Sequence, residues 1–408
     1  MIVLVVYAAL FALAWALGHF LNRKARPVTF GDAASIRPNR LASILSVLAI
    51  FLIWGAFTGS KLVPLHVPGP FTGDAQFTYT AQDETGAMGD ATVTVRVSRP
   101  GDKAPAPEAT GGAGPARADG ATTAAWRSAL LKVTENDGPG ARVIAINGQP
   151  VTEGRPVRVA DGSVTLTPKG SLSFTPDAGW QMEPIWLPAP EAVAARLAEI
   201  ARNGYQNHSL WAHLGFSLWR VLAGLVLGAL VGIPLGYAMG LSSWCRGWLD
   251  PIVEFMRPVP PLALIPLIII WFGIWETGKI ILLFLAALWI MVIAARTGVT
   301  GVKLSKIHAA YSLGASRAQV LWHVIIPNSL PDIFTGLRVA LGVCWGTVVA
   351  AELVAAEKGA GMMVLVASKF QLTDIVVMGI ILIGVIGYGI DILMRLAERR
   401  LVPWRGRG

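Results

Sequence analysis

The stretch VLAGLVLGALVGIPLGYAMG, residues Val221–Gly240, decides the fold. It carries no charge over a length close to the roughly 20 residues that cross a bilayer as an α-helix. Glycine recurs at every fourth position, so the glycines form a strip along one face of that helix. In lipid, such a strip lets a second helix approach closely. The stretch therefore predicts a transmembrane helix that packs on a neighbour through Gly224, Gly228, Gly232, Gly236 and Gly240.

Six further stretches on either side of this one are uncharged or nearly so. The chain has 408 residues, of which 54% are hydrophobic and only 14% are charged, a composition that excludes an ordinary soluble enzyme. Flanking Lys and Arg side chains can extend the shorter stretches to the membrane interface. We expect a polytopic α-helical membrane protein with about seven spans: Ile2–Leu21, Leu41–Ser60, Val221–Cys245, Pro258–Trp275, Ile280–Ala295, Ile333–Ala351 and Ile375–Ile390.

The net charge of +9, from 34 basic and 25 acidic residues, is concentrated in the loops between these stretches. Basic clusters mark cytoplasmic loops, so residues 23–40, residues 296–317 and the C-terminus are predicted to lie in the cytoplasm, with Met1 outside. We attribute the positive charge to membrane topology and expect no nucleic-acid partner. The two cysteines, Cys245 and Cys344, lie in apolar surroundings and predict neither a disulfide framework nor a metal site.

A long polar segment, residues 66–184, separates the second and third spans and is predicted to lie outside the membrane. It is rich in Gly, Pro, Thr and Val, and its short alternating runs favour a β-sandwich. Pro100–Thr123 is biased towards Pro, Ala and Gly and predicts a flexible linker. The expected strands are Gln76–Thr80, Ala91–Val97, Ala141–Ile146, Val157–Val159, Ser163–Thr167 and Ser171–Thr175.

This polar segment resembles a bacterial cadherin-like domain with its parts in reversed order. Pro70–Val97 (PFTGDAQFTYTAQDETGAMGDATVTVRV) resembles the last two strands of such a repeat, and Leu130–Trp180 resembles its earlier strands. The resemblance implies one circularly permuted sandwich whose two ends return to the membrane together. It also implies calcium as a candidate ligand, the alternative being that the acidic turns are simply solvated. The residues concerned are Asp83, Glu135, Asn136 and Asp137.

The segment HAAYSLGASRAQVLWHVIIPNSLPDIFTGLR, residues His308–Arg338, carries a specific spacing: Gly314 follows an alanine pair by four positions, and Pro327 comes thirteen later. We expect a short helix, broken at Gly314 and stopped by Pro327, that seats in a groove of a partner; a plain amphipathic linker is the alternative. The spacing resembles the Glu-Ala-Ala loop of ABC-importer permeases, with His308 at the glutamate position. It implies a cytoplasmic coupling segment, Lys303–Pro327, that contacts an ATPase through His308, Ala309, Ala310, Gly314, Arg317 and Pro327.

Other segments resemble the permeases of nitrate/sulfonate/taurine-type ABC importers, over about Arg40–Pro64 and Pro184–Trp404. Three of them are LDPIVEFMRPVPPLALIPLIIIWFGIWETGKI (Leu249–Ile280), GLRVALGVCWGTVVAAELVAA (Gly336–Ala356) and ERRLVPW (Glu398–Trp404). The resemblance implies an extra first span and basic loop at 1–40, the first span of an ABC importer type I permease core at 41–65, a periplasmic insert at 66–184, and the rest of the core at 185–408.

This resemblance implies the permease subunit of an importer in the bacterial inner membrane, without enzymatic activity of its own. The implied partners are two ATPase subunits, a periplasmic substrate-binding protein and a second copy of this chain. GIWETGKI (Gly273–Ile280) fits the start of a phosphate-binding loop, but Ile280 replaces the Ser or Thr that ligates Mg²⁺. We therefore expect no cofactor or metal in this chain and place ATP and Mg²⁺ on the ATPase. The family carries small anions, and taurine or another sulfonate is favoured over nitrate, aromatic acids and vitamin precursors.

Two ionisable residues are predicted at membrane depth. Glu352 lies in VVAAELVAA at the end of one span, and Arg220 begins another. Charged groups there are costly and mark functional sites by default, so both are candidates for the translocation pathway, with interfacial anchoring as the alternative. The competing function for the whole chain is adhesion or sensing through the cadherin-like domain, with the spans as an anchor. Seven spans argue against it, since an anchor needs one or two.

Overall fold

The computed structural model describes residues 2–21, 40–102, 104–109 and 111–404. The chain divides into two compact units, residues 1–191 and 192–408. Most of the predicted basic loop at 23–40, with the C-terminal Arg405 and Arg407, lies outside the described residues.

The first unit begins with two helices, α1 (Ile2–Leu21) and α2 (Arg40–Thr58), which match the first two predicted spans. Nine strands follow in two sheets, one in the order β3-β2-β1-β5-β6 and the other in the order β4-β9-β8-β7. Their bounds are β1 Gly73–Gln82, β2 Met88–Ser98, β3 Asp119–Ala124, β4 Ala129–Leu131, β5 Arg142–Ile146, β6 Gln149–Pro150, β7 Pro156–Val159, β8 Gly162–Leu166 and β9 Leu172–Pro176.

Both sheets bury one face in a common apolar core. Burial alternates along β1 and β2, as the two-residue period of a strand requires. Phe77 of one sheet stacks on Phe174 of the other, with ring centroids 5.9 Å apart. The predicted β-sandwich is therefore confirmed.

The prediction of a flexible linker over Pro100–Thr123 is wrong for its second half. β3 pairs in parallel with β2, and Ala116 is only 1% exposed. The chain packs closely here because Gly89 has no side chain: a Cβ on Gly89 would lie 1.8 Å from the carbonyl oxygen of Ala113.

The second unit is helical, and its core lies between three long helices, α4, α7 and α10. The helices are α3 Pro190–Asn203, which begins just before the boundary of the two units, α4 Leu210–Leu241, α5 Ser243–Met256, α6 Ile265–Phe272, α7 Glu276–Thr300, α8 Leu304–Ser312, α9 Arg317–Val320, α10 Ile326–Ala355, α11 Ala360–Lys369 and α12 Thr373–Leu401. Val221, Met291 and Cys344, from α4, α7 and α10, are completely buried in this core.

Four helical stretches of the described residues are long and apolar enough to cross a membrane: Leu210–Leu241, Glu276–Thr300, Arg317–Leu353 and Thr373–Leu401. The predicted span Pro258–Trp275 is not a single straight helix. α5 and the segment Pro261–Phe272 meet at 91° and form one broken span or a re-entrant loop. Proline at 258, 260 and 261 explains the break, since proline has no N–H and keeps the preceding residue out of the helical conformation.

The glycine strip of α4 packs directly against α7. A Cβ on Gly224 would lie 2.4 Å from the Cβ of Leu283, and one on Gly228 would lie 2.5 Å from the Cβ of Ala287. Gly232 and Gly236 meet the next two turns of α7 in the same way. The two backbones are therefore as close as the absence of side chains allows.

Candidate functional site

Arg220 and Glu352, the two predicted ionisable residues, are in direct contact. Arg220 lies on α4 and Glu352 near the end of α10, and the Nη1 of Arg220 donates a hydrogen bond of 2.7 Å to Glu352 Oε1. The Nε and Nη2 of Arg220 donate to the two carboxylate oxygens of Glu276, at 2.6 and 2.7 Å. Glu276 is the first residue of α7. One guanidinium thus joins three helices.

The surrounding groups satisfy the Glu352 carboxylate. Ser217 Oγ donates to Glu352 Oε1 at 2.7 Å, and the Gly361 N–H donates to Oε2 at 2.9 Å. The carbonyl of Lys358 accepts a further hydrogen bond from Arg220, also at 2.7 Å. The loop between α10 and α11 is therefore held against the same two charges. We call Arg220, Glu276, Glu352 and Ser217 the ion cluster.

Gly359 allows this close approach of the loop. Its φ is +146°, a conformation that disfavours other residues, and a Cβ there would lie 2.3 Å from Glu352 Cδ. The Gly359 N–H donates to Nδ1 of His213, whose Nε2 is 3.0 Å from the carbonyl oxygen of Tyr205. His213 thus extends the network along α4.

The cluster is stabilising only as a complete set. The side chains of Arg220 and Glu352 are 1% and 0% exposed, whereas Glu276 is 49% exposed. Burying two charges costs several kcal/mol each, and good geometry with additional hydrogen bonds is needed to offset that cost. Arg220 forms four such bonds, which leaves this end of α4, α7 and α10 held as one piece.

Glu276, Lys279, Ser217 and His213 are functional-site residues that the sequence analysis does not predict. Lys279 donates to Glu276 Oε1 at 3.0 Å, and both belong to GIWETGKI, which the sequence analysis compares with a phosphate-binding loop. The signal was present, because a Glu and a Lys three residues apart at the start of an apolar span predict a buried or interfacial pair.

The coupling segment lies beyond the opposite end of α7. It consists of α8, a turn at Gly314 with φ +82°, α9, and a π-helical turn, Leu321–Ile325, that runs into α10. Ser316 and Gln319 form a capping box that starts α9. The prediction that Gly314 breaks the helix agrees with this geometry.

The prediction that Pro327 stops a helix is wrong. Pro327 lies in the first turn of α10, which continues to Ala355. Proline is accommodated there because the π-helical turn Leu321–Ile325, directly before it, rearranges the backbone hydrogen bonds that proline would otherwise break. The wide π-helical turn just before it belongs to the same continuous stretch, Arg317–Leu353.

The helix α8 has a packed side and an exposed side. Ile307 and Ala310 pack on a cluster that contains Val299, Val320 and Ile325. The exposed residues are His308, Ala309 and Arg317, together with Leu304 (68%), Leu313 (88%) and Tyr311 (47%). An apolar surface with a basic residue beside it thus faces away from the described protein.

The four calcium candidates do not form one site. Asp83 Oδ1 accepts from Thr85 and Ala87 in its own turn, and Glu135 pairs with Lys132. Asn136 donates to Asp119. Within the described ranges, no three His, Cys, Asp or Glu side chains are grouped to hold a metal ion.

Asp137 instead belongs to a polar group on the sandwich that we did not predict. The buried Tyr79 hydroxyl lies 2.8 Å from Asp137 Oδ1, 2.8 Å from the Arg117 carbonyl oxygen and 3.3 Å from Asp119 Oδ2. Burial, with the nearby charge of Asp137, raises the pKa of Asp119 from 3.8 to about 6.

Long apolar helices, a buried ion cluster at one end of the bundle and an exposed helical segment at the other define a polytopic membrane protein. The model of the family "binding-protein-dependent transport system inner membrane component" matches residues 215–403, which contain both the cluster and the coupling segment. Among the similar proteins, the taurine transport system permease protein TauC of Escherichia coli (strain K12) is 51% identical over 226 residues, 55% of this chain and 82% of that protein.

Two further relatives are the putative aliphatic sulfonates transport permease protein SsuC of Escherichia coli (strain K12) and the nitrate import permease protein NrtB of Synechococcus elongatus. SsuC is 40% identical over 55% of this chain and 84% of its own length; NrtB is 31% identical over 50% and 72%. A solved structure of the MetNI methionine ABC transporter, in an inward-facing conformation, matches with a TM-score of 0.42 and 18% identity over 48% of this chain and 96% of that chain.

The chain belongs to the family of binding-protein-dependent transport system inner membrane components. The resemblance to nitrate/sulfonate/taurine-type permeases is thereby confirmed. The protein is an ABC transporter permease, a multi-pass inner-membrane subunit that transports rather than catalyses.

Proposed function

We propose that this chain is the permease of an ATP-driven importer for taurine or another small sulfonate. The observation that supports this most strongly is the 51% identity to a taurine permease over 82% of that relative. A periplasmic binding protein delivers the substrate, a separate ATPase with its own ATP and Mg²⁺ drives the cycle, and two copies of the chain form the pathway by alternating access.

The exposed side of α8 is where we place the ATPase. His308, Ala309 and Leu313 face outward, while Ala310 anchors the helix to the bundle. A continuous helical stretch runs from α9 through the π-helical turn into α10, which carries Glu352 of the ion cluster near its other end. A push on the coupling segment would therefore be transmitted along α10 to the opposite, periplasmic end.

Arg220 and Glu352 act in the pathway by holding its periplasmic end. Both are buried, so they position the loop before α11 rather than contact water-borne substrate directly. Opening this end requires the hydrogen bonds of Arg220 to be broken or to move with their helices as one body. We infer that the ion cluster stabilises one of the two states of the cycle.

The test of this function is the ATPase activity of the complex in lipid, with and without its binding protein, across taurine, other sulfonates and nitrate. We expect stimulation by binding protein loaded with taurine or another sulfonate. Gly314→Pro should abolish the stimulation, because proline cannot adopt the φ of +82° that the turn requires. Stimulation that survives Gly314→Pro contradicts the coupling role.

For the sandwich we propose that it docks or orients the binding protein on the periplasmic side. Its two ends are adjacent: the Phe71 N–H donates to the Asp177 carbonyl at 2.8 Å, and the Trp180 N–H donates to the Pro68 carbonyl at 2.7 Å. Residues Val67–Glu183 can therefore be replaced by a short linker.

We expect that deletion to weaken binding-protein affinity while some uptake remains, which would make the sandwich accessory. Unchanged affinity would exclude the docking role. If no ATPase associates with the full chain at all, the proposed coupling role of Lys303–Pro327 fails.

A further inference from the structure

A cleft of about 260 Å³ lies beside the ion cluster in the second unit. Its size is below the roughly 300–1,000 Å³ of sites for drug-sized ligands, and it suits a smaller molecule. Aromatic and charged side chains line it together: Phe216, Arg220, Ile274, Trp275, Glu276, Lys279, Glu357 and Lys358. This combination is typical of a site that recognises charge.

The deep charges of the cleft are already neutralised. Arg220 is paired with Glu276 and Glu352, and Lys279 is paired with Glu276. The deep part of the cleft is therefore polar, but the charges of Arg220, Glu276 and Lys279 there are already paired. A ligand would therefore be selected by the groups nearer the rim.

Lys358 and Glu357 are those groups. Within the part of the chain that the structure describes, neither has an opposite charge within 4.0 Å. The Lys358 ammonium lies 5.0 Å from the centroid of the Phe216 ring, an aromatic contact that fixes a cation without neutralising it. Glu357 is exposed, and Trp275, which lines the same cleft, is 73% exposed. One cation and one anion thus remain available at the same opening.

We propose that this cleft is a substrate subsite of the permease itself, for a small sulfonate that carries an ammonium group. Lys358 binds the sulfonate. Glu357 binds the ammonium, assisted by the aromatic face of Trp275. The subsite rests on the proposed function and adds to it that the permease, and not only the binding protein, discriminates between sulfonates.

The geometry of the loop supports this role. The carbonyl of Lys358 is held by Arg220 at 2.7 Å, and Gly359 is wedged against Glu352. The side chains of Lys358 and Glu357 are therefore presented from a backbone that the ion cluster fixes. Any movement of the cluster during transport would move both ligand-binding groups with it and release the substrate.

The test is direct binding of radiolabelled taurine to the permease–ATPase complex in lipid nanodiscs without binding protein. Isethionate, which has a hydroxyl in place of the ammonium, is the competitor. Wild type should bind taurine saturably and isethionate roughly tenfold or more weakly, as expected for the loss of one charge-assisted contact. Lys358→Gln should weaken both ligands by at least about tenfold. Glu357→Gln should weaken taurine only, so that the preference between the two ligands disappears.

Lys369→Gln and Glu108→Gln are matched controls, because each removes one exposed charge outside the cleft. Each should leave the affinities for taurine and isethionate unchanged. Binding-protein-dependent taurine uptake is measured in parallel. If wild type transports taurine but binds none directly, or if Lys358→Gln and Glu357→Gln bind like wild type, the subsite is refuted and the importer function stands. If wild type transports no sulfonate, the proposed function fails as well.

Discussion

Arg220 and Glu352 form an ion pair between α4 and α10 in which Nη1 lies 2.7 Å from Oε1 and the side chains are 1% and 0% exposed. The pair is isolated from water, and its members also bind Glu276, Ser217 and the loop before α11. It is thus the point at which four elements of the second unit are joined.

Removal of either member should therefore destabilise the protein strongly. Arg220→Ala leaves the buried Glu352 carboxylate without a cation and Glu276 with Lys279 alone, and loss of one partner of a buried pair costs about 3–5 kcal/mol. Glu352→Gln keeps the shape and should cost less. The midpoint of thermal unfolding in nanodiscs measures the destabilisation by Arg220→Ala and by Glu352→Gln. The control is Lys132→Ala, which breaks the exposed pair with Glu135 and should leave the midpoint unchanged. An unaltered midpoint for Arg220→Ala would show that the pair is not structural.

Gly359→Ala tests the loop rather than the charges. The new Cβ would meet Glu352 Cδ at 2.3 Å, and φ of +146° is strained for alanine by about 1–3 kcal/mol. We expect a lower unfolding midpoint and loss of hydrogen-exchange protection at the Ala360 and Gly361 amides. Gly346→Ala, an exposed helical position in α10 with nothing within 4 Å, is the matched control. Equal unfolding midpoints for Gly359→Ala and Gly346→Ala would show that the close contact of Gly359 with Glu352 does not limit stability.

The glycine strip allows a comparison within one helix. On α4, a Cβ at Gly228 would collide with α7 at 2.5 Å, whereas a Cβ at Gly215 would meet nothing within 4 Å. Gly228→Ala should destabilise by about 1–3 kcal/mol through overpacking. Gly215→Ala should stabilise by about 0.5–1 kcal/mol through a better helix former. The two unfolding midpoints should move in opposite directions, and a shared direction would mean that close packing of α4 on α7 does not limit stability.

These relationships show how far sequence reasoning reaches. Period and composition are local, so the apolar spans, the glycine face of α4 and most strands of the sandwich could be predicted. Arg220 and Glu276 are 56 residues apart, and no local pattern indicates that they meet. The prolines of Pro258–Trp275 indicate a break in the helix, but the apolar residues around them favour one uninterrupted span. The prediction that Pro327 stops a helix is wrong because the sequence alone does not distinguish a proline near the start of a helix from one that ends it; the flanking turns decide.

The sandwich should be more stable at mildly acidic than at neutral pH. Burial, with the charge of Asp137 nearby, holds the pKa of Asp119 at about 6, above the 3.8 of an unperturbed carboxyl. Between these values the folded state binds a proton that the unfolded state has lost, so stability is lost as pH rises through about 6. A two-unit shift corresponds to about 3 kcal/mol for a fully buried group, and partial exposure of Asp119 reduces this to the order of 1 kcal/mol.

Asp119→Asn should remove this dependence, because the amide is neutral at every pH. Its single side-chain oxygen can accept from Asn136 or from Tyr79, whereas the carboxylate accepts from both. The pH dependence is measured as the hydrogen-exchange protection of β1 and β3 in the full chain at pH 5 and pH 7.5, corrected for intrinsic exchange rates. The wild-type protein should be less protected at pH 7.5 than at pH 5, and Asp119→Asn should be equally protected at both. Asp102→Asn, an exposed acidic residue of the same domain, should behave like wild type. If Asp119→Asn retains the full pH dependence, the proton binds elsewhere in the sandwich.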